Sequence, residues 1–247
     1  MGEKRADGSK LHDIASRRRK AAKLLAIIRS ALGDDLTRMR ALDVGCASGL
    51  ITQTLAPHLG GIIGLEYEST AVAMMDASVA PNLLFLQGDA TCLPLAAETV
   101  DLVICAQVYE HVADAEAMVA EIWRVLRPGG ICAFSGPNRL DVIERHYGLP
   151  FVSWFPHRWA DAYLRLAGRA PTYAEHPRTY WGLRQLWRDF DWADYTVSMF
   201  REPDRFACRE DLGSLAWIGR WPVWLLRAMM PLYPNYNWVL TKRAEGA

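Results

Sequence analysis

Four short stretches carry the side chains whose types and spacing could do chemistry. The first is Asp43-Val44-Gly45-Cys46-Ala47-Ser48-Gly49, an apolar run that ends in a small-residue turn. Glycine has no Cβ to hold a ligand away, so backbone N–H groups and the N-terminus of a following helix can face one. The second and third are Glu66-Tyr67-Glu68 and Gly88-Asp89-Ala90. A carboxylate at 66 can accept from both hydroxyls of a ribose, and one at 89 from an exocyclic amine. Together they describe an adenosine-shaped site. The fourth is Gln107-Val108-Tyr109-Glu110-His111, where a side chain that titrates near neutral pH stands beside an acid.

These groups meet only if each stretch follows a strand of one sheet. The β-rich runs 40–46, 61–67, 83–88, 100–108 and 130–136 alternate with helical patterns at 49–59, 69–79 and 114–127. That alternation predicts a mostly parallel sheet covered on both faces, with ligands outside the carboxyl ends of its strands. A lead-in helix is expected over 10–33, where Leu11, Ile14, Ala21, Leu24, Leu25, Ile28 and Leu32 recur at helical spacing before Gly33. Beyond 138 the composition changes, since nine of the ten tryptophans lie after residue 150. Helices are expected at 157–168 and 180–190, strands at 194–200 and 236–242, and an insert at 203–235 that is longer than an ordinary connection.

The motifs Leu42–Gly49, Gly64-Leu65-Glu66, Gly88-Asp89-Ala90, Glu110-His111-Val112 and Arg124-Val125-Leu126-Arg127-Pro128-Gly129-Gly130 resemble those of class I S-adenosylmethionine-dependent methyltransferases, in the small-molecule, ubiquinone-biosynthesis-like group. The resemblance covers residues 35–138. It implies a doubly wound, Rossmann-like sheet of seven strands, mostly parallel, with an antiparallel C-terminal strand and a helical cap or insert. The whole of 1–247 would then form one domain, with a cofactor-binding core at 34–138 and acceptor-side helices at 139–193. It implies S-adenosylmethionine as cofactor, with Gly45 and Gly49 admitting the methionine moiety. Asp43, Cys46 and Tyr67 would join them in the cofactor site. Glu66 would hold the ribose, Asp89 and Ala90 would border the adenine, and Gln107 would lie near the sulfonium.

One position departs from the family pattern. Ala47 stands where its middle glycine is usual, which is affordable if the backbone keeps φ negative, because the left-handed region costs about 1–2 kcal/mol for a residue with Cβ. Ala47 and Leu50 also break the Gly-x-Gly-x-x-Gly fingerprint of dinucleotide binders.

In-line methyl transfer from a sulfonium needs no metal, and the protein aligns the acceptor and removes its proton. His111 is the first candidate base, with Glu110 beside it; the alternative is that His111 only opens the next helix. Some quinone O-methyltransferases that this segment resembles bind a divalent metal here, but two adjacent residues do not make a site, and no metal is expected. The acceptor pocket is expected from His146, Tyr147, Trp154 and His157, with His176, Phe155 and Trp159 nearby.

The sequence 215–230 is apolar except for Arg220 and Arg227, which share one helical face. It fits a helix lying at a membrane surface, or one buried over the sheet. The C-terminal 231–240 is similar to tails of methyltransferases of cell-surface glycan or glycolipid assembly, so the expected reaction is O-methylation of a small-molecule or lipid- or glycan-linked acceptor, the alternatives being C-methylation of a quinone-like ring and a non-catalytic binding or scaffold protein of the same fold.

Lys plus Arg and Asp plus Glu both total 28, which argues against nucleic acid as a partner. The five cysteines show no Cys-x-x-Cys, and the first residues show no apolar leader, so a cytoplasmic protein with reduced thiols is expected. Oligomeric state is not legible.

Overall fold

A computed structural model describes the backbone of residues 3–244 and the side chains of residues 14–244. The chain enters through a long helix, α1 (Glu3–Leu32), and then alternates strand and helix. The order is β1 (Arg40–Val44), α2 (Leu50–Leu55), β2 (Gly61–Glu66), α3 (Ser69–Ala73), β3 (Leu83–Gln87), β4 (Val100–Ala106), α4 (Ala115–Val125) and β5 (Leu126–Pro137). A small hairpin follows, β6 (Ile143–Glu144) with β7 (Leu149–Pro150), then α5 (His157–Leu166), α6 (Tyr180–Leu186) and β8 (Phe190–Asp194). The last part holds α7 (Thr196–Arg201), α8 (Arg209–Leu212), α9 (Val223–Ala228) and β9 (Asn235–Lys242).

Seven strands form one sheet in the order β3-β2-β1-β4-β5-β9-β8. β1 through β5 run parallel, and β9 is antiparallel to both of its neighbours. This is the expected doubly wound architecture, with its order reversing between β1 and β4, where such sheets bind ligands.

Period-two side-chain alternation sends each strand to two cores. Leu42, Val44, Val103 and Cys105 join α4, α6 and α9 on one face. Ala41, Leu102 and Ile104 meet Leu24, Ile27 and Ile28 of α1 on the other. The side chain of Leu11, expected on the same apolar stripe of α1, lies outside the described residues. In α4, Asp114 caps the helix by accepting from the Ala117 N–H (2.9 Å), and Ala115, Met118, Val119 and Ile122 form its buried stripe.

Three expectations fail locally. Residues 69–79 form one short turn of helix, not a long one. The stretch 194–200 is helix α7, not a strand. Asp194 accepts from the backbone N–H groups of Thr196 and Val197 (3.2 and 3.1 Å), which starts a helix, and the edge strand lies just before it as β8. The insert does not contain one continuous amphipathic helix. Pro222 cannot donate to a helical ladder, and the segment breaks into a 3₁₀ stretch (Gly213–Arg220) and α9. Arg220 and Arg227 therefore do not share one helical face.

Many of the late aromatics are core. Trp187, Trp238 and Tyr236 are buried: the Trp187 and Trp238 rings pack on Phe134, with centroids 5.2 and 5.6 Å from it, and the Tyr236 ring lies 5.1 Å from that of Trp238. A third, separate cluster of Val152, Ala160, Leu164 and Tyr173 gives 139–178 its own small core. No described helix is long and apolar enough to cross a membrane.

Candidate active site

The turn after β1 is built as a cradle. Gly45 (φ +65) and Gly49 (φ +72) occupy the left-handed region, and a Cβ on either would meet Val108 at 2.8 Å or the Phe85 ring at 2.7 Å. Ala47 also takes a left-handed backbone, φ +52, so the expectation of a negative φ is overturned. What offsets the strain is visible. The Ala47 N–H donates to Glu66 Oε2 at 2.7 Å, a charge-assisted bond.

Glu66 is thus the organiser of the turn. Its Oε1 accepts from the backbone N–H groups of Tyr67 and Glu68 (2.9 and 3.2 Å). Oε2, with one donor among the described residues, keeps a lone pair free to accept from a ligand. Asp43 lies beneath the turn, buried, and accepts from Thr52 Oγ1 at 2.7 Å. Burial pushes its carboxyl up to about 7, against the Thr52 bond that favours ionisation. Cys46 is buried, with Sγ 3.9 Å from Met75 Sδ, and burial raises its thiol far above the ordinary range. Tyr67 is exposed beside the turn. Asp89 folds back on its own loop, accepting from the N–H and hydroxyl of Thr91 (2.8 Å each), and these bonds hold its pKa below the usual carboxylate range. Its neighbour Ala90 is half-buried.

The other wall rises from the end of β4. Gln107, at φ +62, donates from Nε2 to Asn235 Oδ1 of β9 at 2.8 Å. Glu110 is fully buried, and among the described residues neither carboxylate oxygen meets a hydrogen-bond donor. Burial raises its pKa to about 7. His111 Nε2 stands 3.9 Å from Glu110 Oε1, and burial with the nearby His146 lowers the His111 pKa. The His146 ring meets the His111 ring edge-on, with centroids 4.9 Å apart. His146 Nδ1 bonds Glu144 Oε1 at 2.8 Å, which raises the His146 pKa and leaves Nε2 unengaged.

Among the described residues, Glu110, His111 and His146 each bring a ligand atom to within 4.8 Å of the others. A carboxylate and two imidazoles suit a divalent cation such as Zn²⁺ or Mn²⁺, and Glu144 behind His146 is the orienting partner that metal-bound histidines usually have.

The expected acceptor residues divide. His146 lines a narrow cleft with Gln107, Glu110, Asn138, Tyr173 and Glu175. Tyr147 packs on Tyr173 (5.8 Å), and His157 stacks between Tyr173 and His176 (5.5 and 4.7 Å) at the solvent side. Trp154 is 46% exposed and leans on Phe151, away from the other aromatic walls. Phe155 and Trp159 are also exposed. Glu144, Tyr173, Glu175, Thr52 and Asn235 were not expected. Glu144-x-His146, two apart within a hairpin, was the readable signal for one of them. The others become neighbours only through long-range packing.

Residues 42–134 match a family model described as a methyltransferase domain. A "probable S-adenosylmethionine-dependent methyltransferase" of Mycolicibacterium smegmatis is 38% identical over 99 residues, which are 40% of this chain and 38% of that protein. The ubiquinone biosynthesis O-methyltransferase of Mesorhizobium japonicum is 32% identical over 127 residues, covering 48% and 50%. The chain thus spans about half or less of the length of these curated relatives. In fold, it resembles the crystal structure of an S-adenosylmethionine-dependent methyltransferase from Mesorhizobium loti, with TM-score 0.57 at 16% identity over 87% of this chain and 95% of that one. Residues 42–134 thus match a methyltransferase domain, and the strand order and glycine turn around them give the chain the fold of the S-adenosylmethionine-dependent methyltransferases.

Proposed function

We propose that the chain transfers a methyl group from S-adenosylmethionine to an oxygen of a small or lipid-linked acceptor. The observation that carries this reading is the pairing, across the β1–β4 switch point, of the Gly45–Gly49 cradle with the buried Glu110 beside His111. When bound, S-adenosylmethionine supplies an electrophilic methyl carbon on a sulfonium. The chain's own part is alignment and proton removal. His111, with its pKa held down, is neutral near pH 7 and accepts the acceptor's hydroxyl proton at Nδ1, the ring nitrogen not turned to Glu110. The Glu110 carboxylate, 3.9 Å from Nε2, then stabilises the imidazolium.

The test is calorimetry with S-adenosylmethionine and S-adenosylhomocysteine, followed by methyl transfer to a panel of catechols and hydroquinones. Absence of binding at millimolar ligand defeats the reading and leaves a methyltransferase fold used as a scaffold. Product NMR showing the new methyl on a ring carbon replaces O-methylation by C-methylation.

The cluster of Glu110, His111 and His146 favours a second reading, in which these residues would hold a divalent cation that would supply Lewis acidity to an acceptor hydroxyl. Loss of turnover on chelation, with restoration by Zn²⁺ or Mn²⁺, separates it from proton removal by His111 alone.

Exposed Trp217 and Trp224 in the insert support contact with a membrane surface, which suits a lipid-linked acceptor. Co-sedimentation with liposomes tests it.

A further inference from the structure

The orientation of the Gln107 amide follows from a chain of hydrogen bonds anchored on the backbone. The Tyr236 carbonyl can only accept, and it lies 3.0 Å from Asn235 Nδ2. The amino group of Asn235 must therefore face it, and the same group donates to Ser135 Oγ at 3.1 Å. That fixes Asn235 Oδ1 as the atom presented to Gln107. Opposite it, at 2.8 Å, must stand a donor, so the Gln107 amino group points into β9, where Ser135 Oγ also lies 3.4 Å away. Gln107 Oε1 is left turned from β9 and meets no donor among the described residues.

The backbone holds this arrangement under strain. Gln107 has φ +62, a region a residue with Cβ seldom adopts, and its N–H donates to the Ser135 carbonyl at 2.8 Å. It follows the carboxyl end of β4 at the switch point and lines the cleft shared with Glu110. The next residue, Val108, packs on Gly45 of the facing turn. With its amino group engaged by β9, the Gln107 amide can offer a ligand only its carbonyl oxygen, which carries a partial negative charge.

We propose that Asn235 is a positioning residue that locks the Gln107 carbonyl oxygen toward the positive sulfonium of the methyl donor, so that the site prefers the charged donor to its neutral demethylated product. The proposal rests on the reading that S-adenosylmethionine binds at this turn. Such preference favours product release after each transfer, because S-adenosylhomocysteine lacks the charge that Oε1 attracts.

The experiment compares the affinities of S-adenosylmethionine and S-adenosylhomocysteine by calorimetry in the wild type, Asn235→Leu, Gln107→Met and the double variant. In Asn235→Leu the amide is free to turn, and donor affinity should fall about tenfold, as for the loss of an interaction with a charged group, with product affinity changed less than about twofold. Gln107→Met should do the same, and the double variant no more than either alone. A merely structural role for Asn235 would weaken both ligands alike, and that result, or an unchanged ratio in Asn235→Leu, overturns the proposal. If the wild type binds neither ligand, the cofactor reading itself fails.

Discussion

On the wall formed after β1 and β2, Thr52 donates to the buried Asp43, and three backbone N–H groups converge on Glu66. On the wall formed after β4, with the hairpin and α5 beyond it, Glu110 is buried with no described residue donating to either oxygen, and Glu175 Oε2 and the Tyr173 hydroxyl are likewise without a partner among the described residues. A buried polar group without a partner costs free energy comparable to a lost hydrogen bond, and more for a charge. The first wall is complete in itself and ready for a ligand that adds to it. Under the proposed function, an acceptor hydroxyl or a cation completes the second.

The comparison can be broken at either wall. The largest effect is expected from His111→Ala, which should lower the methyl-transfer rate at saturating acceptor by about 10²–10⁴-fold, the usual reach of a positioned base. An unchanged rate excludes His111 as an essential base. On the other wall, Gly45→Val combines a left-handed backbone with a Cβ 2.8 Å from Val108. It should weaken S-adenosylhomocysteine binding on the order of 100-fold in calorimetry. A melting curve must show the variant folded, and wild-type affinity in a folded variant removes the cradle from the site.

A smaller effect comes from Asp43. Its folded pKa of about 7 lies above the ordinary 3.8, so between these values the folded chain holds a proton that the unfolded chain has lost. Stability contributed by this group is therefore present at low pH and lost as pH rises from about 4 to 7. Asp43→Asn removes that slope. Subtracting the variant's denaturation curve from that of the wild type should leave a difference falling by a few kcal/mol across the window. A flat difference means that Asp43 is ionised when folded. The smallest expected effect is from Trp217→Ser with Trp224→Ser, which should reduce liposome co-sedimentation about twofold or more. Equal partitioning of variant and wild type retires membrane contact through the insert.

Legibility in the sequence follows the same division. Strands β1 to β5 and the residues just past them are local: an apolar run and its turn lie within ten residues, so Gly45, Glu66 and Gln107 could be placed by counting. The left-handed backbone of Ala47 was not legible, because the bond that stabilises it comes from Glu66, on the next strand. β8 and α7 were shifted because Asp194 acts as a helix start, which a β-rich composition over 194–200 hides. The second wall needed the fold itself. His146, Tyr173, Glu175 and Asn235 reach Glu110 and Gln107 from as far as 128 positions away, and no periodicity encodes such a meeting.

The most direct measurement is calorimetric titration of the wild-type chain and Gly45→Val with S-adenosylhomocysteine. One saturable site in the wild type, lost in the folded variant, is the expected result. No heat of binding at millimolar ligand in the wild type contradicts a cofactor cleft at the Asp43–Gly49 turn.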